Sequence, residues 1–331
     1  MLAFVRPVGV ACNRTARFGR ERMSERAFAS GSASGSASGS ASGSAAVSGS
    51  APSPMMVVAN VYVSEGREEG LIPLRDRVAG YGGRVLLLHE FVDEEYGRTG
   101  FTLGGPARDV EDAVVGLVDE ALGRLDLSNA PGTHPRTGSV DHVAVHPLGE
   151  TATLERAAQA AREVGRRVGE MRAGTPVYLY GEASSPPGRK LVDVRRSLGY
   201  FRPSDADKGL PAPDFGILPP KKSTGVVCIG ATRLVLNLNV PLATSSKEDA
   251  KFVMDAARSP HVQAMALLHG KGVIEVACNL LDVDKDPVAQ VEKRIHDAAQ
   301  RRGVKLNAPG YLTGLDAHQL LHKLLSHFAP G

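Results

Sequence analysis

The sequence has 331 residues, with 39 Lys and Arg against 36 Asp and Glu, a formal net charge of +3 and three cysteines. This length suits one large domain or two of ordinary size. The cysteines form no CxxC pair, which argues against a disulfide framework and against a zinc site. No stretch approaches about 18 uninterrupted apolar residues, so we expect no membrane span.

Residues 1–54 differ in composition from the rest of the chain. They contain six arginines, no lysine and two acidic residues, and they end in Ser/Ala/Gly repeats that cannot bury enough apolar surface to fold. This pattern predicts a chloroplast or mitochondrial transit peptide followed by a disordered linker. An unstructured tail, or initiation at Met55 or Met56, is the alternative, and the protein would then be cytoplasmic. This segment carries a net charge of +4 and leaves about −1 on the rest of the chain, so we expect no nucleic-acid partner.

From Met55 onward the hydrophobic periodicity alternates between strand and helix. The pattern predicts strand, helix, strand, strand, helix and strand, in MVVANVYVSE, REEGLIPLRDRVAGYG, RVLLLHEFVD, RTGFTLGG, ARDVEDAVVGLVDEALGRLD and DHVAVHPLG. This β-α-β-β-α-β order is that of the ferredoxin-like unit. A helix, TLERAAQAAREVGRRVGEMR, and a strand, TPVYLYGE, extend it. The Gly/Pro-rich segments up to Gly225 are candidate binding loops.

After Gly225 the same order recurs. We predict one strand in VVCIGATRLVLNLNVP, a helix in SSKEDAKFVMDAARS, two strands around Gly270, a helix in PVAQVEKRIHDAAQRRG and an edge strand in KLNAPGYLTG. The sequence therefore predicts an α+β fold of two ferredoxin-like subdomains, over 55–225 and 226–331, with helices outside. If the free faces of the two sheets meet, a cleft lies between them, and we expect the site there.

The loop APGTHPRTGSVD holds the first candidate for chemistry. Pro135 restricts His134 to extended conformations, so the backbone sets the direction of the imidazole. An imidazole can take up and return a proton near neutral pH. Arg136 suits a substrate carboxylate, and Gly138 permits close backbone approach. A solvated loop histidine is the alternative interpretation.

Three further groups of residues are candidates for ligand binding. At NVYVSEGRE a strand ends and a helix begins, where backbone N–H groups suit an anion; an ordinary helix cap is the alternative. Arg98 opens a strand and would face either the core or the cleft. Lys221 and Lys222 suit a polyanionic ligand tail, or form a solvated pair. We expect no metal, because His134, His142 and His146 occur without an HExxH motif, a carboxylate at motif spacing or supporting cysteines.

Several motifs occur together in a recognisable order: VSEGR near Ser64, GRTGFT near Arg98, HPRTGSVDH around His134, PVYLYGEAS at 176–184, APDFG at 212–216 and NLNV at 237–240. Together they resemble the formiminotransferase domain, from about Met55 to Phe328. The resemblance implies two ferredoxin-like subdomains facing each other across a ligand tunnel, commonly in a dimer, so a homodimer is an open prediction. It also implies transfer of a formimino group, or alternatively a formyl group, from an N-substituted glutamate to N5 of tetrahydrofolate, the co-substrate.

The resemblance implies that His134 is the general acid/base. We expect substrate binding by Asn60, Ser64, Glu65, Gly66, Arg98, Arg136, Gly138 and Glu182. The folate-contacting segment of the family falls on Gly216, Ile217, Leu218, Pro219, Pro220, Lys221, Lys222, Ser223, Thr224 and Gly225.

Two departures from the family pattern keep other functions open. His89 and Phe91 stand where the family carries an acidic pair, and Thr133 replaces a glutamate before the histidine. A non-catalytic protein that stores reduced folates is therefore the first alternative. A metal-dependent hydrolase is the second.

Overall fold

The computed structural model describes residues 55–129, 133–149, 152–172, 174–199, 209–270 and 273–328. The transit peptide and linker predicted over residues 1–54 lie outside the described residues. Within the described part, no helix is both long and apolar enough to cross a lipid bilayer.

The N-terminal half is built on a six-stranded sheet. Its strands follow the spatial order β2-β3-β1-β4-β6-β5 and comprise β1 (Met56–Val63), β2 (Leu86–Asp93), β3 (Arg98–Pro106), β4 (Val140–Pro147), β5 (Val177–Gly181) and β6 (Val227–Ala231). Its helices are α1 (Glu68–Ala79), α2 (Ala107–Arg124), α3 (Leu154–Glu170) and α4 (Leu191–Ser197). The first three cover one face of the sheet, and α4 lies on the other, where Val194 packs with Tyr178, Tyr180 and Cys228.

Strand β1 shows why the sheet has one apolar and one polar face. Successive side chains of a strand point to opposite sides. Val57, Ala59, Val61 and Val63 are fully buried in the core with α1, α2 and α3. The alternate positions of the same strand include Asn60 and Tyr62. These polar side chains therefore face away from the core.

The C-terminal half repeats the same topology in a four-stranded sheet. The strands β7 (Leu236–Leu242), β8 (Val262–His269), β9 (Val273–Leu280) and β10 (Tyr311–Leu312) lie in the order β10-β7-β9-β8. Helices α5 (Lys247–Ala257) and α6 (Val288–Arg301) form a second core with them, and α7 (Ala317–Phe328) packs against residues of β1 and β2. Cys228 and Cys278 are buried in these cores as free thiols.

The one strand expected in VVCIGATRLVLNLNVP is in fact two strands in different sheets. Strand β6 lies parallel to both β4 and β5 in the first sheet, and β7 pairs antiparallel with β9 in the second. The change of sheet falls between Ala231 and Leu236, a few residues beyond the division predicted at residue 225. A continuous apolar run has the same periodicity whether or not the chain changes sheets, so the sequence could not reveal the break.

The polar faces of the two sheets are turned towards each other. Tyr62 Oη donates a hydrogen bond to Asn237 Oδ1 (3.2 Å), and the rings of Phe91 and Tyr311 stack at 6.4 Å. These contacts join β1 and β2 of the first sheet to β7 and β10 of the second. The predicted α+β fold, with two ferredoxin-like subdomains whose sheets face each other, is confirmed.

Two glycines hold the loop before β4 against the segment before β6. Gly138 and Gly225 form an isolated antiparallel bridge, and the N–H of Ser139 donates to the Thr224 carbonyl (2.8 Å). A Cβ atom added at Gly138 would lie 2.1 Å from the Val226 carbonyl oxygen and 2.8 Å from that of Thr224. No side chain fits there unless the backbone moves.

We therefore expect Gly138→Ala to lower the free energy of unfolding by about 2 kcal/mol, because overpacking against backbone atoms forces the two segments apart. Gly314→Ala is the matched control, since its added methyl group meets nothing within 4 Å, and it should change stability by less than about 0.5 kcal/mol. Urea unfolding followed by circular dichroism measures both. Equal stability of the two variants would contradict the close contact.

Candidate active site

Arg98 is the centre of a cluster in the cleft between the sheets. It begins β3, and its side chain is 14% exposed. Its Nη1 lies 3.0 Å from His134 Nδ1, and its Nη2 lies 3.1 Å from Asp141 Oδ2. The guanidinium carbon lies 4.7 Å from the centroid of the Tyr62 ring, which is cation–π geometry. One arginine thus contacts an imidazole, a carboxylate and an aromatic ring at once.

A β-bulge in β4 makes this cluster possible. Tyr62 pairs with His142 across β1 and β4, but the next residue, Val63, pairs with Val140, so Asp141 is the extra residue. Neighbouring residues of a regular strand point to opposite faces, and a bulge re-aims one of them. Both Asp141 and His142 consequently approach Arg98, with His142 Nδ1 at 3.4 Å from its Nη2.

Asp141 is held between two guanidinium groups. Its side chain is 1% exposed, and its Oδ2 forms ion pairs with Arg98 and with Arg195, which comes from α4. Its Oδ1 accepts hydrogen bonds from the backbone N–H and the hydroxyl of Thr137, both at 3.0 Å. Burial alone would raise the pKa of this carboxyl group, but Arg195 and Arg98 outweigh burial and hold the pKa well below its ordinary value. The carboxylate therefore stays ionised.

Both imidazoles of the cluster are neutral at pH 7. Burial, followed by the charge of Arg98, lowers the pKa of His134 to about 3. Burial also lowers the pKa of His142 to about 4, although the hydrogen bond with Asp141 opposes it. Two guanidinium groups and one carboxylate then leave one positive charge in excess. Such a cluster suits an anionic ligand such as a carboxylate.

The loop that carries His134 is tied to both halves of the molecule. The loop is described from Thr133 onward, and the Thr133 hydroxyl donates to the carbonyl of Leu268 in the second sheet (2.8 Å). The His134 ring lies edge-on to Tyr96 at 5.4 Å, and its Nδ1 lies 2.6 Å from the Pro135 carbonyl oxygen. Arg136 donates from Nη2 to the Tyr96 carbonyl (3.4 Å). The imidazole is thus half-buried at the junction of the two subdomains.

A second polar cluster joins the subdomains beside this loop. Glu275 of β9 is 1% exposed and accepts hydrogen bonds from the hydroxyls of Tyr96 (3.0 Å) and Tyr311 (2.9 Å). His269 of β8 lies 3.1 Å from Asp93 Oδ2 through its Nε2. Burial, followed by the charge of Glu275, raises the pKa of Tyr96, so its hydroxyl stays a donor. The hydrogen bonds of this cluster join the two subdomains beside the His134 loop.

The predicted residues Ser64, Glu65 and Gly66 lie at the start of α1. The Glu65 carboxylate accepts hydrogen bonds from the backbone N–H groups of Gly66 (2.9 Å) and Arg67 (2.8 Å) and pairs with the Arg67 guanidinium. The chain's own carboxylate therefore occupies the anion position that we expected there. Ser64 donates from Oγ to the Gly138 carbonyl (2.7 Å), which supports the His134 loop from behind.

Glu182 and the predicted folate segment, residues 216–225, lie outside the Arg98 cluster. Glu182 follows β5, the edge strand, and its carbonyl accepts a hydrogen bond from Arg162 on α3 (3.1 Å). Within 216–225 the side chains of Lys221 and Lys222 are exposed. The end of this segment is bound to the His134 loop, since the Ser139 Oγ donates to the Ser223 carbonyl (3.1 Å). The structure brings His134, Arg98 and Arg136 together and leaves Glu182 apart from them.

Four residues of the cluster were not predicted from the sequence as members of the site: Tyr62, Asp141, His142 and Arg195. No motif marks a bulge, and Arg195 lies in a short helix that periodicity did not reveal. In the part of the chain that the structure describes, no group of three or more His, Cys, Asp or Glu side chains is placed to hold a metal ion.

We expect Asp141→Asn to lower the free energy of unfolding by about 3 kcal/mol, because it leaves two half-buried guanidinium groups without their counter-charge. Asp193→Asn is the matched control, since Asp193 pairs with Arg196 on the exposed surface of α4, and its loss should stay below about 0.5 kcal/mol. Urea unfolding of both variants at pH 7 is the measurement. If Asp141→Asn lowers the free energy of unfolding no more than the control does, the buried ion pairs of Asp141 contribute nothing to stability.

Comparison with known proteins agrees with the resemblance seen in the motifs. The family model for the formiminotransferase domain, N-terminal subdomain, matches residues 56–232. A formiminotransferase cyclodeaminase-like protein of Arabidopsis thaliana is 32% identical over 294 residues, which cover 82% of this chain and 97% of that protein.

Two further relatives have named activities. A glutamate formimidoyltransferase of Thermoplasma acidophilum is 30% identical over 80% of this chain and 89% of its own length. A formimidoyltransferase-cyclodeaminase of Sus scrofa is 28% identical over 67% of this chain, which spans 43% of that protein. From the match to the family model and the extent of these similarities, the chain belongs to the formiminotransferase family.

Proposed function

We propose that the protein is a folate-dependent transferase that moves a formimino or formyl group between an N-substituted glutamate and N5 of tetrahydrofolate. The observation that carries this proposal is the neutral His134 imidazole beside a cluster with excess positive charge in the cleft. Relatives named glutamate formimidoyltransferase support the reaction class. Both substrates are anionic, so a cationic cluster between the sheets is suited to their carboxylates.

His134 is the proposed general acid/base. When N5 of tetrahydrofolate attacks the formimino carbon, the nitrogen becomes cationic and must lose a proton. The nitrogen of the departing glutamate must gain one. A neutral imidazole between these two nitrogens accepts the first proton and returns it to the second, so no net proton is taken from solvent.

The positive cluster couples substrate binding to this proton transfer. The charge of Arg98 is one reason for the depressed pKa of His134, after burial. A substrate carboxylate that binds beside Arg98 offsets this charge and therefore raises the pKa of the imidazole. The bound substrate thus makes His134 a stronger base when a proton must be accepted. Holding both substrates in the cleft lowers the barrier further through positioning.

The alternative, a non-catalytic folate-binding protein, is favoured by one specific observation. Thr133 and His89, which stand where the family carries carboxylates, both contact the other half of the molecule. Thr133 donates to the Leu268 carbonyl, and His89 Nε2 lies 3.3 Å from the Thr313 carbonyl oxygen. Burial lowers the pKa of His89, which therefore stays neutral at pH 7. The side chains at these two positions contact the other subdomain, and neither carries the negative charge that a carboxylate would place near the substrates.

Replacing His134 with Ala tests the catalytic role. We expect a loss of about 10²- to 10⁴-fold in turnover of N-formimino-glutamate with tetrahydrofolate, since the proton carrier is gone, while 5-formyl-tetrahydrofolate still binds. His322→Ala, at an exposed position of α7, is the control and should keep full activity. Near-normal turnover of His134→Ala would eliminate the acid/base role. Folate binding without any turnover by the unmodified protein would favour the storage function.

Arg98→Gln tests the electrostatic coupling. Loss of the guanidinium charge should raise the pKa of His134 from about 3, because the protonated imidazole no longer faces that positive charge. The acidic limb of kcat/KM, which reports the free enzyme, should shift to higher pH. Titration of the His134 ring by nuclear magnetic resonance measures the pKa directly. The surface variant Arg124→Gln is the control, and an unchanged His134 pKa in Arg98→Gln would refute the coupling.

A further inference from the structure

The turn between β2 and β3 supports the loop that carries His134. Tyr96 in this turn is 3% exposed, and its ring lies edge-on to the His134 imidazole, with 5.4 Å between the ring centroids and 72° between the ring planes. The Tyr96 carbonyl accepts a hydrogen bond from Arg136 (3.4 Å). The Glu95 carbonyl accepts one from the N–H of Thr133 (3.3 Å). Residues before and after His134 are therefore bound to this turn.

A residue of the second subdomain fixes the position of Tyr96. The Tyr96 hydroxyl donates a hydrogen bond to Oε2 of Glu275 on β9 (3.0 Å), and Glu275 is 1% exposed. Asn239 also donates to Oε2 (3.2 Å), and Tyr311 donates to Oε1 (2.9 Å). A buried carboxyl group with donors on both oxygens has little freedom to move, because a lost hydrogen bond leaves a buried polar atom unsatisfied. Glu275 is thus a fixed anchor for the Tyr96 hydroxyl.

The His134 ring needs such support because the backbone determines only part of its orientation. Pro135 restricts the backbone at His134, but rotation about the bond that joins Cβ to an imidazole ring has broad energy minima. The contact of Arg98 with Nδ1 fixes one atom of the ring and leaves the tilt of the ring about that atom open. A misplacement of about 1 Å in a reacting group can cost a large part of the rate. The edge-on contact with Tyr96 restricts this tilt.

We propose that Glu275 is a positioning residue for His134, which it holds in place through Tyr96. The inference rests on the proposed function, in which the His134 imidazole carries a proton between two nitrogens. Glu275 exchanges no proton with the substrates in this scheme. It connects the proton carrier of the first subdomain to the sheet of the second, so the imidazole is correctly oriented only when the two sheets are held together.

A comparison of two tyrosines separates this role from simple cohesion between the subdomains. Tyr96 and Tyr311 donate hydrogen bonds of nearly equal length to the same carboxyl group of Glu275. The Tyr96 ring contacts His134, whereas the Tyr311 ring stacks on Phe91. Removing either hydroxyl takes one donor from Glu275, but the loss at Tyr96 also releases a ring that contacts His134.

The variants Tyr96→Phe and Tyr311→Phe test the proposal in the full chain. Tyr96→Phe should lower kcat for N-formimino-glutamate with tetrahydrofolate about tenfold, because the proton carrier loses its orientation, and should leave KM for both substrates within about twofold. The Cε1–H nuclear magnetic resonance signal of His134, assigned by its absence in His134→Ala, should shift in Tyr96→Phe. Tyr311→Phe is the matched control and should keep the turnover and the His134 signal of the unmodified protein. Equal effects of the two variants on turnover, with the His134 signal unchanged in both, would overturn the proposal.

Glu275→Gln tests the acceptor itself. The amide replaces one acceptor oxygen with a donor nitrogen, so it cannot accept from all three of the present donors, and the His134 signal should shift as it does in Tyr96→Phe. Combining both changes should lower kcat little beyond the single variants, because they act through one contact; fully additive losses would show that Glu275 does not act through Tyr96. The resonance measurement needs no turnover. If the unmodified protein is inactive, the proposed function fails, and the His134 signal in Tyr96→Phe and Tyr311→Phe still decides whether Glu275 positions the ring.

Discussion

The buried Asp141 carboxylate is the constraint on which the cleft depends. Its two oxygens contact Arg98 at the start of β3, Arg195 of α4 and Thr137 of the loop before β4, and these three residues are far apart in the chain. A carboxylate that is 1% exposed is stable only if such donors surround it. Its charge in turn holds Arg98 in place, and Arg98 contacts His134. The position of the proposed catalytic imidazole is therefore set by an ion that takes no part in the proposed chemistry.

The two halves of the molecule meet partly through polar groups, because helices cover the main apolar surface of each sheet. The helices α1, α2 and α3 cover the apolar face of the first sheet, and α5 and α6 that of the second. The opposite faces carry polar side chains as well as apolar groups such as Val58 and Leu88, which pack with α7 and Leu234. Tyr96, Tyr311 and Asn239 surround Glu275 between them. Hydrogen bonds of this kind fix the position of one sheet relative to the other. They also leave space for a polar ligand, whereas the side chains of a closely packed apolar interface would fill that space.

The role of each predicted site residue depended on where its strand or loop faced. His134 and Arg98 were predicted separately, as the acid/base and as a substrate-binding residue, and the structure brings them to 3.0 Å. Glu65 belongs to an equally recognisable motif, yet its carboxylate turns back onto the N–H groups at the start of α1. Asp141 lies in the HPRTGSVDH motif, but the motif does not reveal its role, because a bulge depends on how two strands pair and not on the residues of one strand. A motif therefore identified important positions without distinguishing a ligand contact from a structural one.

The sequence by itself determined most of the order of helices and strands, the repeated β-α-β-β-α-β units and the stiff loop around His134, but not helix α4 or the division of β6 from β7. These follow from periodicity and from proline geometry, which act over a few residues. Only the tertiary structure decided that the apolar run after Val226 divides between two sheets, and that Asp141 and His142 approach the same arginine. Each of these depends on residues distant in the chain, whose mutual placement is fixed when the two sheets form and face each other.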